Sequence, residues 1–518
     1  MLARIITLLL CTSWSTICLA EVDRLRASLR SDPATSIVIG WDQVSGSDAI
    51  LLYDTESHNG NTSAYGFYSG IDAENDYAGM QNKFARLEGL QPNTTYYFII
   101  VDTEGSSREY SFATLPDRAS ERISIIAGGD SRNYREARQK ANRMVAKLHP
   151  HLVMFGGDMT GGDNAEQWLR WMNDWQLTIS EQGRLTPIVT ARGNHEYSNK
   201  TIMALFDVPT VSNYYSLPIG GNLIQLYTLN SLIAAGGDQG EWLEQELVSN
   251  HQEVYWQLAQ YHFATRPHTK RKSERNNQLH CWSRLFYKYG VDLVVESDAH
   301  VVKTTYPIKP SRAFDAEQGF IRDDRKGTVY VGEGCWGAPL RDNNDDKSWT
   351  RASGSFNQFK WMFIDKEGIE VRTVLTDSAD EVGDECLYDR FCIPSGIGIW
   401  DPPTGDVLYI DQKDDVSGIG GVLSGDKAEV LDFNAKSLDN DQLEIKWITK
   451  NENETVNFEL QKLNIFGSSY KTIAMINGQG SAQEKNYYRY IDNTNSDTTS
   501  YRLKKITPEG VTLFYIAE

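Results

Sequence analysis

The chain has 518 residues, 40% of them hydrophobic and 11% aromatic, so it can bury the cores of several domains. Its formal net charge is −19 at pH 7. A balance this negative argues against a surface that coats a nucleic acid. It also means that an anionic substrate has to be attracted by bound cations or by local basic residues, because the field of the whole molecule repels it.

Residues 1–20 have the pattern of a secretory signal. Arg4 precedes the apolar run 5–10, and Cys18-Leu19-Ala20 ends in the small residue that a cleavage site requires. The run is too short for a transmembrane span, and we expect no span elsewhere. The sequence therefore predicts a secreted, periplasmic or extracellular protein, with an uncleaved anchor as the alternative.

The next region, residues 21–118, has no helical periodicity and several strand-like runs separated by Asp, Asn, Gly and Ser. The runs are 36–41, 49–53, 96–101 and 110–114. The stretch 90–96, Leu-Gln-Pro-Asn-Thr-Thr-Tyr, resembles the tyrosine corner of fibronectin type III domains. We therefore predict a β-sandwich of that kind and find no catalytic constellation in it.

Residues 119–375 alternate strand-like runs with segments of helical spacing, which is typical of βαβ units and of an α/β domain. The predicted helices are 134–148, 166–179, 240–248 and 277–289. Residues 376–424 are rich in Asp, Gly and Pro and are predicted to be a linker. Residues 425–518 return to alternating strand-like runs, similar to the fibronectin-like modules that close many secreted bacterial enzymes, so we predict a C-terminal β-sandwich.

Side chains that can bind metal ions follow the apolar runs of the α/β domain. They are Asp130, Asp158, Asn194, His262, Asp298 and His300. Parallel strands bring their carboxyl ends to one edge of a sheet, where ligands bind. Carboxylates and imidazoles that converge there suit ions such as Mn, Fe or Zn, and a pair of such ions can clamp a phosphate and activate a water.

The order and the residues of these motifs resemble those of the calcineurin-like metallophosphoesterases, and those of the purple acid phosphatases most closely. The motifs are Gly129-Asp130, Gly157-Asp158, Gly193-Asn194-His195-Glu196, Tyr261-His262 and Asp298-Ala299-His300. The resemblance covers roughly residues 120–375. It implies an α/β metallophosphoesterase fold, a four-layer β-sandwich flanked by helices. Many purple acid phosphatases also carry a fibronectin-like domain in front.

The resemblance also implies roles. Two metal ions would be held by the six residues above, with Asp158 as the bridge, and a metal-bound hydroxide would attack the phosphate ester. His195 would assist the leaving group without binding metal. Glu196 would orient His195 or lie solvated in its loop. We place Arg132, whose planar guanidinium suits a phosphate oxygen, and His268 in the substrate-binding set.

Ordinary structural roles compete with these assignments. An Asp at a strand end often caps the next helix, a lone His is usually hydrogen-bonded in the structure, and Arg132 could form a surface salt bridge.

The chain departs from the family pattern at three positions. Gly161 stands where purple acid phosphatases have the tyrosine that colours their iron, Asp298 replaces a histidine, and Arg132 replaces the histidine of simpler relatives. These changes raise the oxygen share of the ligand set. They favour hard ions such as Mn, Mg, Ca or Fe, although Zn also accepts carboxylates.

A second class of function fits the same motifs. With two motifs altered and fibronectin-like modules on both sides, the chain could be a non-catalytic binding or adhesion protein with a degenerate metal centre. Other hydrolase classes lack their motifs here. The sequence leaves open whether the small-molecule substrate is a phosphate mono-, di- or triester, which metals are bound, and the oligomeric state.

The cysteines outside the signal are Cys281, Cys335, Cys386 and Cys392. An even number in an exported chain favours disulfides. Cys386 and Cys392 enclose five residues and are predicted to close a small loop, which leaves Cys281 with Cys335. Three connectivities are possible, and a thiol metal site is the alternative, although no Cys-x-x-Cys spacing occurs.

Overall fold

The computed structural model describes residues 20–386, 389–413, 429–438, 442–450, 457–463, 470–478, 485–492, 501–506 and 512–516. The predicted signal segment lies outside these residues except for Ala20. The chain divides into two compact units, Met1–Asp414 and Asp415–Glu518. Among the described residues, no helix has the length and apolar character needed to cross a membrane.

The first nine strands follow the predicted signal. They are β1 (Val22–Ser28), β2 (Ile37–Gln43), β3 (Ile50–Asp54), β4 (Phe67–Ser69), β5 (Ala73–Tyr77), β6 (Met80–Leu87), β7 (Thr95–Asp102), β8 (Gly105–Ser106) and β9 (Tyr110–Ala113). Strands β4, β3, β7, β8 and β9 form one sheet, whereas β1, β2, β6 and β5 belong to a larger one. The Tyr96 hydroxyl accepts a hydrogen bond of 2.9 Å from the Gln91 N–H, which is the contact expected of a tyrosine corner.

The strands of the α/β region come next. They are β10 (Ile123–Gly128), β11 (Leu152–Phe155), β12 (Pro187–Thr190), β13 (Tyr215–Ile219), β14 (Ile224–Thr228), β15 (Trp256–Phe263), β16 (Leu293–Ser297), β17 (Val302–Thr305), β18 (Ile308–Pro310), β19 (Phe320–Arg322), β20 (Val329–Gly332), β21 (Thr350–Gly354), β22 (Gln358–Ile364), β23 (Gly368–Leu375), β24 (Gly398–Ile399) and β25 (Val407–Asp411). The helices are α1 (Arg135–Leu148), α2 (Ala165–Trp175), α3 (Asn199–Phe206), α4 (Asp238–Asn250), α5 (Asn276–Gln278) and α6 (Arg284–Tyr289). A π-helical segment, Leu279–Ser283, joins α5 to α6.

Two large sheets face each other and are covered by helices, which confirms the predicted α/β fold. The first has the order β24-β23-β22-β10-β11-β12-β1-β2-β6-β5, with β25 beside β23, and the second has the order β13-β14-β15-β16-β20-β17-β21. Alternate residues of β16 show the layers: Leu293 and Val295 enter the core between the sheets, whereas Val294 packs with Phe286 of α6. Met144 of α1 and Trp171 of α2 belong to the same continuous core as Leu293 and Val295.

One strand pairing joins the N-terminal strands to the α/β region. Strand β1 runs parallel to β12, with Ala27 opposite Pro187 and Ser28 opposite Ile188. The sheet of β10, β11 and β12 therefore continues into β1, β2, β6 and β5. This pairing could not be predicted from the strand patterns, since the partners lie far apart along the chain.

The segment predicted as a linker also adds to the first sheet, because β24 and β25 both pair with β23. Its small loop is closed by a disulfide between Cys386 and Cys392, as predicted. The remaining prediction, a pairing of Cys281 with Cys335, is wrong. Both thiols are free: Cys335 is buried in the loop after β20, whereas Cys281 is half-buried in the π-helical segment.

The C-terminal unit is all-β, as expected. Its strands are β26 (Glu429–Leu438), β27 (Gln442–Lys450), β28 (Asn457–Leu463), β29 (Tyr470–Asn477), β30 (Asn486–Asp492), β31 (Tyr501–Ile506) and β32 (Thr512–Ile516). They form the sheets β26-β27-β30 and β29-β28-β31-β32. Trp447 and Tyr488 from the first sheet and Phe458 and Leu503 from the second share one buried core, so the unit is a small sandwich.

Candidate metal centre

The candidate ligands lie where strands end in tight turns. Asp130, Asp158, Asp298 and His300 all have positive φ values, between 54° and 69°. Such values are uncommon for residues other than glycine and concentrate at functional sites. The strands β10, β11 and β12 are parallel neighbours, as are β15 and β16, so their carboxyl ends bring these turns together.

Glycines beside the candidate ligands allow the turns to touch. A Cβ on Gly157 would lie 2.3 Å from the Gly193 nitrogen, and one on Gly334 would lie 2.2 Å from Asp130 Oδ2. Any side chain at either position would push the metal-binding loops apart. The close approach of these loops is what brings carboxylates from different strands within reach of one ion.

Asp130, Asp158 and His300 form a first cluster, in which one potential ligand atom from each residue lies within 4.8 Å of the others. His300 Nε2 lies 3.1 Å from Asp130 Oδ1. The other Asp130 oxygen accepts a hydrogen bond of 2.8 Å from the Asp298 N–H. His300 Nδ1 lies 2.8 Å from the Pro339 carbonyl oxygen, which can only accept, so Nδ1 carries the proton and Nε2 keeps its lone pair.

Asp158, His262 and Asp298 form a second cluster that shares Asp158 with the first. His262 Nε2 lies 3.3 Å from Asp158 Oδ1 and 3.6 Å from Asp298 Oδ1. The Asn194 side-chain oxygen lies 3.1 Å from the same nitrogen. His262 Nδ1 donates to the Gly156 carbonyl at 2.8 Å, so its Nε2 also faces the cluster with a lone pair.

The electrostatics of these groups fit a bound cation. Burial raises the pKa of Asp130, but the facing His300 and His262 in their protonated forms outweigh it and lower the pKa overall. A bound metal ion would replace the Nε2 protons of these imidazoles. Burial raises the pKa of Asp158. Asp130 Oδ1 and His300 Nε2 are buried and have no hydrogen-bond partner, although they face each other. Two orphaned acceptors at this distance are what a metal ion would satisfy, so the residues present fit a metal.

Glu196 has neither of the roles expected for it. Its side chain is fully buried and accepts backbone hydrogen bonds of 2.9 Å from Asp158 and Met159 and 2.7 Å from Gly193. Burial and the charge of Asp158 raise its pKa to about 7. Glu196 thus ties the turn that carries Asp158 to the turn that carries Asn194. A carboxylate three residues after a glycine turn was the available signal, but only the fold shows which N–H groups it meets.

His195 lies at the edge of both clusters. Its backbone N–H donates to Asp158 Oδ1 at 2.8 Å, and its Nε2 lies 3.7 Å from Asp158 Oδ2. Its Nδ1 donates to the Gly161 carbonyl at 2.8 Å. The ring is therefore fixed with Nε2 toward the carboxylates, and its side chain is 21% exposed. Gly161, which replaces the expected tyrosine, contributes through its backbone.

Comparison with known proteins agrees with this geometry. Residues 22–114 match the purple acid phosphatase N-terminal domain, and residues 123–302 match the calcineurin-like phosphoesterases. The chain thus contains a purple acid phosphatase N-terminal domain followed by a calcineurin-like phosphoesterase domain. Its fold is similar to that of the purple acid phosphatase PPD1 from yellow lupin seeds, with a TM-score of 0.58 and 16% identity over 69% of this chain and 72% of that one.

Two curated relatives are similar in sequence over part of this chain. An uncharacterised protein of Mycobacterium tuberculosis is 22% identical over 369 residues, which span 60% of this chain and 68% of that protein. Human acid phosphatase type 7 is 25% identical over 284 residues, which span 49% of this chain and 64% of that protein. The fibronectin type III character of the N-terminal region stays a prediction.

The two predicted substrate-binding residues, Arg132 and His268, have different surroundings in the structure. Arg132 follows the Asp130 turn, is half-buried, and has a buried Nε without a hydrogen-bond partner. His268 is fully buried, its Nε2 pairs with Thr350 Oγ1 at 2.7 Å, and its ring packs on Trp349. Burial lowers the pKa of His268. These contacts indicate a structural role for His268, whereas the Arg132 guanidinium forms no side-chain hydrogen bond with the described residues.

Two basic residues at the centre were missed from the sequence. The Lys272 ammonium contacts Asp298 Oδ1, and Arg341 Nη1 donates to the Asp298 carbonyl at 2.6 Å. The Arg341 N–H also donates to the His300 carbonyl at 3.1 Å. The basic run Lys270-Arg271-Lys272 after the His262 motif was a usable signal for Lys272. Arg341 lies outside any motif, and only the fold brings it to the site.

Proposed function

We propose that this metallophosphoesterase is an active, exported, metal-dependent hydrolase of small phosphate esters. The observation that carries the proposal is the pair of Asp and His clusters that share Asp158, each with its ligand atoms within 4.8 Å of one another. A shared carboxylate neutralises two cations at once and fixes their separation. Buried carboxylates without such cations would be costly to hold so close together.

Asp130, Asp158 and His300 would hold one ion, and Asp158, Asn194, His262 and Asp298 the other. When bound, such ions polarise a phosphoryl oxygen and lower the pKa of water toward neutrality. Four oxygen donors against two imidazoles favour Mn, Fe, Mg or Ca over a pair of zinc ions, although Zn accepts the same donors.

The protein's own groups would carry the proton and orient the ester. His195 holds Nε2 toward the carboxylates while Gly161 fixes Nδ1, so an imidazolium there can donate a proton to the leaving oxygen. Arg132 has an unpartnered Nε for a nonbridging oxygen. Neither residue forms a covalent intermediate, and a phospho-enzyme is not expected.

Export is supported by the pattern of residues 1–20 and by the disulfide between Cys386 and Cys392. Disulfides persist in oxidising compartments and are rare in the cytosol. We therefore assign the protein to the periplasm or the cell exterior. N-terminal sequencing of the protein recovered from its native host tests the cleavage expected after residue 20.

The direct test removes and restores the metal. Chelator-treated protein should hydrolyse an aryl phosphate at the background rate and regain activity with Mn, Fe or Zn. Asp158→Asn should lose metal and at least roughly 10³-fold in rate, since several kcal/mol of transition-state stabilisation leave with the ions. Asp117→Asn, an exposed change outside the centre, is the matched control and should behave as wild type.

The outcomes separate the two functions considered for this sequence. Full activity in a verified metal-free preparation would contradict the proposal. Two bound metals without turnover on any mono-, di- or triester would favour the alternative, a binding protein with an inactive centre.

A further inference from the structure

A lysine ends on the second cluster. The Lys272 ammonium contacts Asp298 Oδ1, the same oxygen that lies 3.6 Å from His262 Nε2. Its side chain is 22% exposed, whereas that of Asp298 is 4% exposed. An ammonium has three donors, so the contact with Asp298 leaves others for a further acceptor on the solvent side.

The loop that carries Lys272, residues 264–275, is pinned along its length. The His268 N–H donates to Glu333 at 3.1 Å, the Thr265 N–H donates to Glu296 at 2.8 Å, and the Lys270 N–H donates to Asn344 at 3.0 Å. These bonds fix the loop backbone at its start and middle. The position of Lys272 is therefore built into the fold.

A buried lysine holds Glu296 and Glu333, the carboxylates that accept hydrogen bonds from this loop. Lys303 is 1% exposed and lies 2.5 Å from a carboxylate oxygen of both Glu296 and Glu333. The Lys303 ammonium also donates to the Arg266 carbonyl at 3.2 Å, and Lys347 donates to the Pro267 carbonyl at 2.7 Å. Such a network is expensive to desolvate and costly to break, so it fixes one loop geometry.

The charge balance explains why a cation is needed there. The clusters contain three carboxylates, those of Asp130, Asp158 and Asp298, and the chain as a whole is strongly negative. An approaching phosphate anion would meet Asp298 at the solvent side of the second cluster. A fixed ammonium on Asp298 offsets that charge and offers a donor in the same place.

We propose that Lys272 is a phosphate-binding residue of the second cluster, which shares its ammonium between Asp298 and a nonbridging oxygen of the bound phosphoryl group. The proposal rests on the proposed function, because it concerns the substrate of that centre. Arg341, bonded to the Asp298 carbonyl, is a positioning residue that holds Asp298 under the lysine.

The experiment measures binding of inorganic phosphate to metal-loaded protein by calorimetry, alongside metal content and steady-state kinetics. Lys272→Met should weaken phosphate binding and raise KM by roughly ten- to a hundred-fold, the usual worth of a charged hydrogen bond, with both metals retained. Lys272→Arg should recover part of the affinity. Lys270→Met removes an exposed lysine two positions away and should change nothing.

A second pair of variants separates direct contact from charge compensation. In an Asp298→Asn background, compared at equal metal content, Lys272→Met should still weaken phosphate binding. If its effect vanishes there, Lys272 only offsets the carboxylate and the proposal is overturned. Unchanged phosphate affinity in Lys272→Met, or loss of a metal in that variant, also overturns it.

Failure of the proposed hydrolase function would give a different result from failure of the Lys272 site. A wild-type protein that hydrolyses no ester but binds phosphate through Lys272 would refute the hydrolase and keep this site. A wild-type protein that hydrolyses esters with the same KM in Lys272→Met would keep the hydrolase and refute the site.

Discussion

The two halves of the candidate metal centre share Asp158 but differ in their surroundings. In the first half, Asp130 and His300 are fully buried and face each other with no other partner for the facing atoms. In the second half, Asn194 and His195 are half-buried, and Lys272 reaches Asp298 from the solvent side. The first half is built to hold an ion, whereas the second combines ligands with groups that can meet a substrate.

This contrast explains why Asp298, the ligand that departs from the family pattern, lies in the second half. A closed, dry site tolerates few changes, because an unpaired buried charge is costly. An open site can exchange an imidazole for a carboxylate if a cation from a nearby loop offsets the new charge. Asp298 with Lys272 is such an exchange, and substitutions at three residues test the comparison.

The largest expected effect comes from His195, which lies on the open side and is not proposed as a ligand. His195→Ala should lower kcat by roughly 10²–10⁴-fold, the usual range for acid–base catalysis, while both metals stay bound. The loss should shrink for esters with good leaving groups, which need less protonation. Kinetics on a series of aryl phosphates with metal analysis measures both. Loss of a metal would make His195 a ligand instead.

Substitution of Glu196 should weaken metal binding in both halves, since Glu196 holds the turn of the shared Asp158. Glu196→Gln replaces an acceptor oxygen with an NH₂ group, so at least one of three backbone N–H groups loses its partner. Metal affinity should fall by roughly ten- to a hundred-fold, as is common for groups that support ligands. Glu136→Gln on the exposed face of α1 is the control. Depletion of only one metal would show that Glu196 does not act through Asp158.

The smallest effect is expected at Asp298, which belongs to the second half alone. Asp298→His should keep that ion and shift its preference toward Zn by roughly tenfold, because imidazole is the softer ligand. Competition between Mn and Zn, followed by metal analysis, measures the shift. The ion of the first half should stay unchanged. If Asp298→Ala leaves both ions fully bound, Asp298 is a turn residue and the second half lacks a ligand.

The ligand set could be predicted because its signals are local. Each candidate follows an apolar run, and parallel strands place their carboxyl ends at one edge whatever the rest of the fold does. The Gly-Asp and Gly-Asn-His-Glu motifs are short for the same reason: the turns need glycine where loops touch, as Gly157 touches Gly193. Whether Asp158 bridges two ions stays a prediction.

Other features of the fold could not be predicted from the sequence. The pairing of β1 with β12 depends on which strand edges meet after folding, and strand patterns alone carry no record of their partners. Cys281 and Cys335 have the same chemistry, but the fold leaves both thiols free, with Cys281 half-buried and Cys335 buried.

The sequence by itself determined the α/β class, the strand-end positions of the candidate ligands and the loop closed by Cys386 and Cys392, since each follows from periodicity or spacing within a short stretch. Only the tertiary structure decided that Glu196 supports the Asp158 turn and that Lys272 reaches Asp298. Hydrogen bonds and charge pairs act over a few ångström in space, and the fold brings these residues together from loops after different strands.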